Sequence, residues 1–146
     1  MIYKYLMDSN IIESQCKSYD AFRRSCPSHT VLEVLANKWT LLVVSSLRGK
    51  AHRFGELSRR IEGITPKMLT QTLKILERDG LVQRTMYPVI PPRVDYELTL
   101  LGGELVELLD AIRFWSEQHV PDILKARQAA GLRGSTEPLT GIGPAR

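Results

Sequence analysis

The 146-residue sequence predicts a mainly helical α+β fold in which a compact helical body carries a small β-hairpin and terminal helices lie outside it. Three observations carry this expectation. Leu69, Leu73 and Leu76 recur at i, i+4 and i+7 between a start at Thr65-Pro66 and a stop at Gly80, the period of a helix with one buried face. From Leu81 to Leu98 two short alternating runs are separated by Pro88, Pro91 and Pro92, as strands joined by a stiffened tip are. Beyond them Leu101, Leu105, Leu108, Ile112 and Trp115 repeat at alternating steps of four and three.

Taken in order, residues 1–25 form an N-terminal arm. Ile12, Cys16, Tyr19 and Phe22 stand at helical spacing after an Asn10 cap, and the arm is assigned to the dimer interface. Pro27 to Gly49 reads as a helix with Val31, Leu32 and Leu35 inward, a break near Asn37, and an apolar helix from Trp39. Phe54 to Ile61 makes one to two helical turns with Leu57 and Ile61 inward, and Glu62-Gly63-Ile64 is a short glycine-containing turn. In the helix that follows, Thr65 supplies a capping hydroxyl and Pro66 occupies the first position, where no N–H is missed. The hairpin then pairs Leu81–Pro88 with Arg93–Leu98. A helix from about Thr99 to His119, ending near Pro121, carries the last stripe, with Val106 and Leu109 widening it. That stripe is wider than a monomer of this size needs, so a second copy is the expected burial partner, the alternative being that the helix folds back on its own domain. Residues 128–146, rich in glycine and proline, are expected to be disordered.

Helix, glycine turn, helix and hairpin in this order are the layout of a winged helix-turn-helix. The face of the second helix opposite its leucines holds Lys67, Thr70, Gln71, Lys74 and Arg78, groups that neutralise phosphates and reach base edges in a major groove. Charge points the same way. Arg48 to Tyr96 contains 10 basic and 5 acidic residues, a net of +5, whereas the whole chain has 20 against 16, a net of +4. All the excess positive charge therefore lies on the head, the footprint of a polyanionic partner. A membrane surface fits less well, because the basic residues interleave with amides and hydroxyls instead of joining a cationic face to exposed aromatics.

Other classes find little support. The longest apolar run, Trp39 to Leu47, is far short of the roughly 20 residues that cross a bilayer, and the N-terminus lacks the apolar run of a signal peptide, so a cytoplasmic location is expected. His29, His52 and His119 share no metal-ligand spacing with the two cysteines, and Gly102-Gly103 lacks the remaining glycines and lysine of a phosphate loop. The expectation is a protein that is not an enzyme and holds neither cofactor nor metal. Cys16 and Cys26 are too few for a disulfide scaffold. Cys26, before Pro27 at a helix start with Arg23 and Arg24 a turn upstream, has the setting of a reactive thiolate; its other reading is a small packing residue.

The motifs Cys26-Pro27, Asn37-Lys38-Trp39-Thr40-Leu41-Leu42, Arg53-Phe54-Gly55-Glu56-Leu57, Ile64 to Thr70, Asp79-Gly80-Leu81-Val82 and Pro91-Pro92-Arg93-Val94-Asp95-Tyr96 occur in order. Over roughly Cys26 to His119 the chain closely resembles the HxlR-type transcriptional regulators. The resemblance implies a homodimer on double-stranded operator DNA, with terminal helices forming the dimer. It places Lys67, Met68, Thr70 and Gln71 on the recognition-helix motif, Arg93 on the wing motif, and Cys26 where some members sense oxidants or electrophiles. The expected division is 26–98 for DNA binding, with Thr65, Lys67, Met68, Thr70, Gln71, Lys74, Arg78 and Arg93 at the DNA, and 99–127 for dimerisation through Leu101, Leu105, Leu108, Ile112 and Trp115. Two other readings stay open: a winged helix used for protein contacts, and a constitutive regulator without cysteine sensing.

Overall fold

The computed structural model describes residues 19–131. Among the described residues there are five helices and a three-stranded antiparallel sheet: α1 (Ser28–Leu35), α2 (Lys38–Ser46), β1 (His52–Arg53), α3 (Phe54–Arg60), α4 (Pro66–Arg78), β2 (Val82–Tyr87), β3 (Arg93–Leu98) and α5 (Leu100–Ala129). The sheet order is β1-β3-β2. In the hairpin Val82 faces Leu98 and Tyr87 faces Arg93, while β1 aligns His52 with Tyr96 and Arg53 with Asp95.

The helix starts follow local chemistry. Asn37 accepts the Trp39 N–H at 2.8 Å, Thr65 accepts the Met68 N–H at 3.2 Å, and Thr99 accepts the Gly102 N–H at 3.1 Å. Each satisfies a backbone donor that the first turn leaves without a partner. At α3 the Glu56 carboxylate accepts the Arg53 N–H at 2.7 Å, and that bond holds its pKa below the ordinary value. Gly63 and Gly80, at φ 83° and 72°, make the turns either side of α4 in a conformation that an L side chain resists.

The core joins Val43, Val44 and Leu47 of α2 to Leu57, Ile61 and Ile64, to Leu69, Leu73 and Leu76 of α4, and to Val82, Val106 and Leu109. Helix α2 is its central post and packs on α1, α3, α4 and α5. Thr99 then ties α5 to the head: its hydroxyl donates to the Gly80 carbonyl at 2.6 Å and its N–H to the Leu81 carbonyl at 3.1 Å.

Five features differ from the sequence reading. The sheet has a third strand, β1, which local pattern does not announce. Val31 and Leu32 of α1 point outward, 56% and 50% exposed, because this eight-residue helix meets the core only through Val34. Helix α5 does not stop at Pro121 but continues to Ala129, into the stretch assigned to the disordered tail. Proline removes one hydrogen bond to the Glu117 carbonyl, and here Glu117 is exposed, where water can replace that bond. Residues 19–27 form turns instead of helix, with Tyr19 and Phe22 exposed. Lastly, the broad stripe of α5 is divided: Gly102, Val106 and Leu109 are buried in the head, whereas Leu101, Leu108, Ile112 and Trp115 face outward. Asn10, Ile12, Cys16 and the tail beyond 131 lie outside the described residues.

Candidate nucleic-acid interface

The leucine period of α4 decides what its other side presents. With Leu69, Thr72, Leu73 and Leu76 buried, Lys67, Thr70, Gln71 and Lys74 are exposed along one side. Among the described residues the side chains of Lys67, Gln71 and Lys74 make no hydrogen bond or ion pair within the chain. Their donors are available to an outside partner. The Thr70 hydroxyl donates to the Pro66 carbonyl at 2.8 Å, which leaves its lone pairs as acceptors. Thr65 is exposed, but its oxygen caps the helix. Met68 is half-buried and packs against the core, so it stands at the margin of this face.

Two of the basic residues expected at the interface are engaged elsewhere. Arg78 donates to both oxygens of Asp79, at 2.8 and 3.3 Å, which raises its pKa, and it lines a groove toward α1 and α5. Arg93 donates its Nε–H to Asp95 at 2.8 Å and lies over the Tyr87 ring at 5.0 Å. Asp95 is buried, and the Arg93 hydrogen bond holds its carboxyl below the ordinary carboxylate range. Arg53 approaches the same carboxylate at 3.8 Å. Asp95 thereby fixes two guanidiniums, one from β1 and one from β3, at the base of the wing. The sequence reading missed Arg53 and Asp95 because a strand pairing between residues some forty positions apart joins them.

At the other end of the head, Cys26 precedes α1 and is half-buried. The Ser28 hydroxyl donates to its sulfur at 3.0 Å. That bond, helped by the Ser28 backbone N–H, lowers the thiol pKa against burial and the nearby Asp20 charge. The guanidiniums expected to do this play no such part: Arg23 pairs with Asp20, 3.8 Å away. The outward residues of α1 and α5 border a groove of about 770 Å³ lined by Val31, Val34, Leu35, Leu101, Leu105 and Leu108. Leu105 is half-buried at its floor, while Ile112, Phe114 and Trp115 continue the apolar surface along α5. Among the described residues no helix is long and apolar enough to cross a membrane, and no cluster of His, Cys, Asp and Glu is placed to hold a metal ion.

The fold and this face define the class: a winged helix-turn-helix with an exposed basic recognition helix. The chain belongs to the HxlR-like helix-turn-helix family, whose model matches residues 34–123, and its relatives are named as transcriptional regulators. It is 40% identical over 116 residues to the HTH-type transcriptional regulator YtfH of Escherichia coli, covering 80% of this chain and 92% of that one. Among solved structures it is similar to the transcriptional regulator ytfH from Salmonella typhimurium, with TM-score 0.71 and 39% identity over 75% of this chain and 98% of that one. It is also similar to the redox regulator HypR in its oxidized form, with TM-score 0.59 and 35% identity over 64% of this chain and 96% of that one. A helix-turn-helix regulator family implies a DNA partner.

Proposed function

We propose that the protein is a homodimeric regulator that binds a two-fold operator in double-stranded DNA. Residues 26–98 form the reading head and α5 forms the dimer. The observation that carries this is the α4 face, where two ammoniums and an amide without partners among the described residues lie beside the Thr70 hydroxyl, whose lone pairs remain as acceptors, along one side of a capped helix. Lys67 and Lys74 contact phosphates, Gln71 and Thr70 reach base edges, and Arg93, held by Asp95, presents the wing. The apolar surface of α1 and α5, whose residues are exposed in the single chain, supports a second copy as its cover.

Cys26 is the candidate input. Its lowered pKa favours the nucleophilic thiolate, and it adjoins α1, one wall of the apolar groove. Modification there would shift α1 and thereby the spacing of the two heads. The test combines light scattering with footprinting on duplexes selected from genomic fragments, with and without diamide. A dimer protecting two half-sites about 10 base pairs or a multiple apart is expected. A monomer that protects a single half-site with undiminished affinity overturns the dimer. Binding unchanged by diamide overturns the sensor.

A further inference from the structure

The outer end of the hairpin is apolar and basic, and the proposed roles of α4 and α5 leave it unused. Strand β1 pairs β3 only at Asp95 and Tyr96, so beyond Asp95 the hairpin runs on without a third strand to Tyr87, Arg93 and the tip at residues 88–92. Met86, Tyr87 and Val89 are exposed there, and Ile90 is fully exposed. Pro88, Pro91 and Pro92 restrict the backbone around Val89 and Ile90, so little conformational freedom remains to be lost on binding.

The surroundings restrict what can cover this tip. From Gly80 to Val94 there is no acidic residue, and Arg84 and Arg93 are exposed. The nearest carboxylate along the strand, Asp95, is buried and paired with both Arg93 and Arg53. The partner therefore carries negative charge outside an apolar layer. A second copy laid on α1 and α5 does not meet the requirement, because α5 begins beside Leu98, at the opposite end of strands about 20 Å long. Duplex DNA meets it: phosphates line the groove edges and stacked bases lie between them.

Resting on the DNA-binding reading above, we propose that the wing tip is a minor-groove wedge. Ile90, backed by Val89, enters between two base pairs and partly unstacks one step, while Arg84 and Arg93 hold the flanking phosphates. Apolar side chains that enter the minor groove unstack and kink DNA in this way. The kink brings more of the duplex against the head, and it adds a preference for flexible steps at positions that α4 does not touch.

The test uses the full chain and duplexes recovered by the wild-type protein from genomic fragments, with 2-aminopurine placed at one step at a time beyond the α4 footprint. Wild-type protein should raise the fluorescence at one step in each half-site. Ile90→Leu should keep that rise. Ile90→Ser should lose it and bind about tenfold more weakly, with an unchanged footprint and melting temperature, since Ile90 supports nothing inside the fold. An unchanged rise with Ile90→Ser, or no rise at any step while the wild type binds, overturns the wedge and leaves the DNA-binding reading standing. Failure of the wild type to retain any duplex overturns both. Ile90-dependent binding to phosphatidylglycerol vesicles, with DNA binding indifferent to Ile90→Ser, assigns the tip to lipid and likewise overturns the wedge.

Discussion

Gly102 lies so close to the carbonyl of Leu81 that a Cβ added to it would sit 2.0 Å from that oxygen. This contact, with the Thr99 hydrogen bonds beside it, sets α5 on the head. Gly102→Ala should therefore force the helix away from its seat and destabilise the protein by about 1–3 kcal/mol. At the next residue the prediction reverses. A Cβ on Gly103 meets nothing within 4 Å, so Gly103→Ala should stabilise by roughly 0.5–1 kcal/mol through helix propensity. Urea denaturation of the two variants checks the pair, and equal effects would mean that the close approach does not matter.

On α4 the predictions separate reading from holding. Gln71→Ala should relax preference at one operator position by roughly 1–3 kcal/mol, because an amide can satisfy a base edge in two directions. Lys74→Ala should weaken all sequences alike and lower the slope of log affinity against log salt by about one. Binding to a panel of single-base operator variants at several salt concentrations distinguishes the two. A uniform loss from both variants removes Gln71 from base reading.

Ile112 and Trp115 are about half exposed in the single chain, so charge placed there costs the fold little. If they lie between two copies, Ile112→Asp should dissociate the dimer and reduce operator affinity while the far-UV circular dichroism stays unchanged. A dimer of undiminished affinity, measured by sedimentation equilibrium, would place the interface elsewhere.

Ser28 stabilises the Cys26 thiolate by a hydrogen bond to sulfur. Ser28→Ala should raise the thiol pKa and slow iodoacetamide alkylation near neutral pH, with the two rates converging at alkaline pH where both thiols are ionised. The pH profile of alkylation reads this directly. Identical profiles would show that the hydroxyl is a spectator.

Asp110 links α5 to the end of α2. Burial alone would push its pKa up, yet it is lowered by Ser45, by Arg48, which donates at 2.6 Å, and by Arg113. The buried Ser45 hydroxyl makes no well-formed hydrogen bond of its own, but it faces this carboxylate closely enough to favour its charge. Because the folded pKa lies below the unfolded one, the stabilisation is complete above the ordinary carboxylate value. It is lost as pH falls through the lower, folded value. Asp110→Asn should lower the melting temperature at neutral pH, by a loss of about 1–2 kcal/mol, and flatten its decline in acid. Parallel acid melting curves for the two proteins would contradict it.

Local chemistry makes α4 legible in the chain itself: a hydroxyl cap, a proline at the first position, leucines one turn apart and a glycine stop all lie within the sixteen residues from Thr65 to Gly80. The same holds for the hairpin, whose strands end where prolines withdraw backbone donors, and for the order of elements that marks the family. Tertiary structure decided what depends on distant partners. Two residues cannot announce themselves as a strand, so β1 exists only because β3 offers His52 and Arg53 a ladder. Arg93 looks free along the chain, yet Asp95 and Tyr87 hold it. A stripe of leucines on α5 says that the helix has something to bury. Which leucines meet the head was set by Gly102, where the absent side chain lets the helix come close enough for Val106 and Leu109 to enter the core and leaves Leu108, Ile112 and Trp115 facing out.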